Sequence, residues 1–241
     1  MEVSPKFLRF AAVCAAITAL TTLAIHLMPH LWADVGTFER QLDLRNHVLY
    51  LTRLWIVLIH CLLVVISMYA VCLLSVRAKP GWAGLGFLAF FVFALTEIFR
   101  TSLALFALNR SWRTRYAANP DPETRGSIRA MIEAFVGIND ALFFIFIVAF
   151  FLGLLCYGVA LAADKTSDRA MGFLFLTWAV LTLPAIIDAV RGVDSISGMF
   201  EWVGYGFQPI ARASIGVWLW KKSFALHRAP TASEISRLER G

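Results

Sequence analysis

A carboxylate and a guanidinium three residues apart, Glu97 and Arg100, sit inside an apolar run covering residues 82–108. Crossing a bilayer takes about 20 mostly apolar residues, which this run supplies. At mid-bilayer each of the two charges costs about 2.5–3.5 kcal/mol on insertion scales. Their spacing puts both on one helical face, where they partly neutralise each other. Such a pair is tolerated facing protein or water and excluded from acyl chains. The rest of the chain must therefore supply helices that surround it.

Composition agrees. The 241 residues are 59% hydrophobic and 16% charged, against about 45–50% and 25% in soluble domains. In hydrocarbon every backbone polar group must be satisfied internally, so the expected class is an all-α polytopic membrane protein. The net charge of +6 reads as cytoplasmic flanks and headgroup contacts, not nucleic-acid binding. Cys14, Cys61, Cys72 and Cys156 all lie in apolar runs, as small packing residues do, and no disulfide framework is expected.

About six transmembrane helices are predicted, over residues 7–28, 54–76, 82–108, 134–162, 170–190 and 200–220. They form one bundle, residues 1–228, with a polar cytoplasmic tail at 229–241. The first run follows Lys6 and Arg9 without a convincing cleavage site, so it reads as an uncleaved helix closed by Pro29. Residues 109–130 form the longest expected loop; within it Asp121 reads as a helix N-cap and Pro122 as the first helical residue. Trp112, Tyr116, Trp202 and Tyr205 suit an aromatic belt. Short, charge-dense segments around Lys6, Arg9, Arg77, Lys79, Lys165, Arg169, Lys221 and Lys222 predict both termini inside.

The polar residues of the spans then fall in one leaflet. Arg100 lies about 12 Å below the outer end of its run at 1.5 Å per residue, and His60, Asn139, Asp140, Asp188, Gln208 and Arg212 occupy comparable depths on four other helices. Spacings of three, four and seven within each helix align them on single faces. Lipid is a prohibited destination for five such stripes. The expectation is a shared polar centre in the outer half of the bundle, in which Glu97, Asp140 and Asp188 oppose Arg100 and Arg212, and His60 titrates. His60, Glu97, Arg100, Asn139, Asp140, Asp188, Gln208 and Arg212 are the candidate ligand-binding residues.

Other chemistries lack their signatures. One deep histidine with three carboxylates, opposed by two arginines and without a His-Glu-x-x-His motif, predicts no metal site and no other cofactor. His26 and His30 are four apart, but Pro29 intervenes. Ser102 and Ser214 lie outside any Gly-x-Ser-x-Gly elbow. Gly137, Gly153 and Gly158 suit close helix packing.

The layout also carries a resemblance. Arg45-Asn46-His47 through Arg53-Leu54-Trp55, the buried Arg100, a Phe-rich and Gly-spaced stretch at 141–158, and Arg169-Ala170-Met171-Gly172 together resemble a family of bacterial six-helix integral membrane proteins of unknown function. The resemblance implies an all-helical bundle in the bacterial cytoplasmic membrane, and it brings no catalytic residues with it. Three functional expectations remain. The first is a protein binding, or helping to move, a small polar, anionic or amphiphilic ligand such as a lipid headgroup. The second is an intramembrane enzyme using His60 with Glu97 or Asp140 for acid–base or metal chemistry. The third is a structural subunit of a larger membrane complex, with a membrane protein partner besides the lipid bilayer.

Overall fold

A computed structural model describes residues 3–31, 36–76, 78–163, 168–192 and 197–228, with only the backbone given for 197–204 and 227–228. The expected tail at 229–241, the side chain of Trp202, and Arg77 and Lys165 lie outside the described residues. All described elements are helical: α1 (Pro5–Leu27), α2 (Phe38–Asp43), α3 (Val48–Ser75), α4 (Pro80–Ser102), α5 (Thr114–Ala118), α6 (Pro122–Ala162), α7 (Asp168–Arg191) and α8 (Ser197–Arg228). Proline opens α1, α4 and α6, where its missing N–H is not needed. A 3-10 turn over Met28–Leu31 carries α1 past Pro29.

Five of these helical stretches, among the described residues, are long and apolar enough to cross a membrane. They begin at Pro5, Val48, Pro80, Pro122 and Asp168. The sixth long helix, α8, is 32 residues but carries Gln208, Pro209 and Arg212, which lower its hydropathy. The long helices form a ring in chain order: α1 packs on α3, α3 on α4, α4 on α6, α6 on α7, and α8 returns to α1. The ring closes between α7 and α8 by its sparsest contact. One apolar core fills it, including Phe90, Phe93, Leu154, Tyr157, Phe175 and Ile215. Two of the expected packing glycines do their work there. A Cβ on Gly153 would stand 2.7 Å from the Phe90 ring, and one on Gly158 2.7 Å from Leu176, whereas Gly137 faces open space. The four cysteines are buried and free.

The end away from the N terminus differs from expectation. Residues 109–130 are largely helical: α4 runs on as a π-helical stretch, Leu103–Arg113, then as α5, and α6 starts at Pro122. The reason is a second core. Leu42, Leu108, Ile128, Ile132 and Phe135 pack together with Phe38, Trp112 and Tyr116 around them. Trp112 and Tyr116 thus serve this small core; Trp112 meets Phe135 edge to face. The α6 N-terminus is capped as the sequence predicts, the Asp121 carboxylate accepting from the Thr124 amide at 2.9 Å and from its hydroxyl at 2.5 Å.

Candidate functional site

The intramembrane polar groups form two neighbouring centres, both within electrostatic reach of Cys61. The first joins α4 to α6. Arg100 Nε and Nη2 donate to the two carboxylate oxygens of Glu97 at 2.7 and 2.6 Å, a two-pronged pair, and Arg100 Nη1 donates to Asn139 Oδ1 at 2.9 Å. Glu97 is 5% exposed. Asn139 in turn donates to Asp140 at 3.4 Å, and Asp140 stands on the exposed side of α6. Depth accounts for that exposure. Asp140 lies about 33 Å from the Ala162 end of α6, and Arg100 about 30 Å from Pro80, by helical rise. Both therefore reach the far boundary of a hydrocarbon layer about 30 Å thick. Because α4 continues beyond Ser102, its outer end is not the membrane boundary, and Arg100 sits shallower than its apolar run suggests.

The second centre lies among α1, α3, α7 and α8. Arg212 is 4% exposed, and its guanidinium carbon stands 5.2 Å from the centre of the Trp178 ring. Among the described residues it takes part in no ion pair and no hydrogen bond, and its Nε is buried without a partner. His60 Nδ1 and the Thr21 hydroxyl are 2.7 Å apart, joining α3 to α1. His26 stacks on Tyr205 with centroids 4.4 Å apart, and Gln208 stands beside its imidazole. Arg212 is within electrostatic reach of both histidines. Arg53 bridges the two centres: its Nε donates to the Ile25 carbonyl at 2.9 Å, and it lies within reach of His26, Glu97 and Arg100.

Of the eight predicted residues, then, Glu97, Arg100, Asn139 and Asp140 share one centre, and His60, Gln208 and Arg212 the other. Asp188 is 2% exposed on α7, one turn past Pro184. Sequence reasoning missed Thr21, His26, Arg53 and Trp178. Thr21 and Trp178 give no signal, being apolar-run residues by composition. Arg53, seven residues before His60 and so on its face, and His26 are visible in the sequence but lie outside the eight candidate residues.

Among the described residues, Arg53 and Arg100 share the Glu97 carboxylate, Asp140 stands at the exposed edge of the same centre, and no carboxylate acts on Arg212. No group of three or more His, Cys, Asp or Glu side chains among the described residues is placed to hold a metal ion. A groove of about 660 Å³ lies along α8 from Ile210 to Ala225, with Met171 of α7 beside it; Arg212 does not line it.

A third polar contact lies at the N-terminal end: Asp168 accepts from Trp218 Nε1 at 3.0 Å and from Lys222 Nζ, tying α7 to α8. No family model matches the chain, and neither a curated protein nor a solved structure matches it significantly.

Proposed function

We propose that this is an integral membrane protein whose Arg212 centre receives the anionic group of a small polar or amphiphilic ligand, of which a lipid headgroup is the natural example. One observation carries the reading: a guanidinium more than nine-tenths buried, with no carboxylate or hydrogen-bond acceptor of its own among the described residues. An uncompensated buried charge is strongly unfavourable, so an arriving anion recovers free energy there. Trp178 holds the guanidinium plane. The Thr21 hydroxyl, the two imidazoles and the Gln208 amide supply neutral donors beside it.

The sparse α7–α8 contact supports an amphiphile, because a molecule in the bilayer meets the protein at that seam without crossing water. In this reading α8 crosses as a sixth span and both termini face the cytoplasm, the charge-dense segments around Lys6, Arg9, Lys221 and Lys222 being inside. The layout resemblance supports the bacterial cytoplasmic membrane as the site. His60 faces a threonine rather than a carboxylate, so among the described residues no His60–carboxylate pair favours the enzyme reading.

Native mass spectrometry from mild detergent tests the proposal. Wild type is expected to retain an anionic adduct that Arg212→Met loses and that Arg129→Gln, a change on the exposed part of α6, keeps. An adduct spectrum unaltered by Arg212→Met sinks it.

A further inference from the structure

A separate cavity of about 230 Å³ opens at the far end of the bundle, between the start of α3 and the π-helical stretch. Arg45, Asn109 and Arg110 give it a cationic and polar side, and Trp55 and Leu105 an apolar one. The α-helical part of α4, Pro80–Ser102, is about 34 Å long and already spans the hydrocarbon, so the cavity sits in the headgroup layer.

The backbone there is held in an unusual form. Asn109 is 2% exposed, and its amide donates to the Ala104 carbonyl five residues back at 2.6 Å. The Thr114 hydroxyl donates to the Asn109 carbonyl, again five back, at 3.0 Å. These side chains serve the widened turns of a π-helix, a form concentrated at functional sites. Arg113 fastens Asn109 from behind, donating to its Oδ1 at 2.7 Å, while the buried Arg113 Nε has no partner among the described residues. Two cations face the cavity in front. Arg45 donates only to the Leu42 carbonyl at 3.3 Å, and Arg110 lies over the Phe106 ring at 5.1 Å. No carboxylate among the described residues is ion-paired with any of the three.

We infer that this cavity binds the phosphate group of an acidic phospholipid through Arg45 and Arg110. Guanidinium forks match phosphate oxygens two at a time. The volume falls below the ~300–1,000 Å³ typical of drug-sized ligands, which suits a headgroup phosphate whose acyl chains stay outside in the bilayer. The inference is independent of the Arg212 centre.

The test titrates the full chain, in detergent, with short-chain phosphatidic acid, with phosphatidylcholine and with inorganic phosphate, reading bound species by native mass spectrometry. Wild type is expected to bind phosphatidic acid at least about tenfold more tightly than Arg45→Gln/Arg110→Gln. Arg45→Lys/Arg110→Lys should recover part of the loss. Arg115→Gln/Arg125→Gln, which removes two exposed arginines nearby, and Arg212→Met should bind as wild type does. If inorganic phosphate shows the same dependence on these variants and the lipid binds no better than phosphate, the phosphate site stands with a soluble phosphate ester as its ligand. Should the double variant fold poorly, Arg110→Gln alone serves, since Arg110 is exposed and, among the described residues, makes no side-chain hydrogen bond or ion pair. The inference is overturned if the Arg45/Arg110 variants bind both probes like wild type, or if the Arg115/Arg125 control loses as much.

Discussion

Arg100 and Arg212 enter the bundle from α4 and α8 in different company. Arg100 arrives with its counter-charge three residues away, in the sequence itself, and uses its remaining nitrogen on Asn139 across the helix interface. That centre is closed: each of the three guanidinium nitrogens has a protein partner and its charge is neutralised within the protein. Arg212 arrives with an aromatic face and neutral donors around it, and no anion among the described residues. The difference teaches that a buried arginine in a membrane bundle is not one kind of feature. With an acid on the same helical face it staples; without one it holds a place for a negative group from elsewhere.

The sharpest attempt to break that contrast removes the acid from the closed centre. Glu97→Gln leaves Arg100 with Asn139 alone. The cost is expected to be about 3 kcal/mol, the lower end for breaking a buried pair, because the Arg100 side chain is 27% exposed. Unfolding in detergent–lipid mixtures measures it. Next comes Arg212→Met, with the opposite sign. Removing an uncompensated charge is expected to stabilise the ligand-free protein by about 2 kcal/mol. A destabilisation of the same size as Glu97→Gln would mean the two centres are alike. Asn139→Ala sharpens the picture of the closed site and is expected to cost only about 1 kcal/mol, as interhelical polar contacts in membranes generally do.

The smallest effect lies outside both centres. Hydrogen bonds from the Thr124 side chain and amide hold the fully exposed Asp121 carboxyl below its ordinary value. Its folded pKa is depressed, so its contribution is present above the usual carboxylate range near 3.9 and is lost as pH falls through the lowered value. Acidification should loosen the α6 start, seen as faster amide exchange at residues 122–125.

Much of this architecture was legible in the sequence, for identifiable reasons. The long helices follow from apolar runs and proline positions, the α6 cap from Asp121-Pro122, and the Glu97–Arg100 pair from a spacing that any helix converts into proximity. What lies between helices was not legible. Nothing in one helix's periodicity says that Arg100 meets Asn139, or that His60 meets Thr21, because interhelical register is set by the packing of neighbouring side chains. Residues 109–130 read as a loop because five arginines hid a helical signal: Leu108, Trp112 and Tyr116 step by four, and Ile128, Ile132 and Phe135 by four and three. The link made by Asp168 was not legible either, since its partners Trp218 and Lys222 are about fifty residues away.

The most direct measurement compares unfolding of wild type and Arg212→Met, each before and after delipidation in stringent detergent. An open anion site predicts that delipidation weakens wild type but not Arg212→Met, so that the variant becomes the more stable of the two once stripped. If delipidation weakens both equally and Arg212→Met remains the less stable throughout, Arg212 is a structural residue and the anion site does not exist.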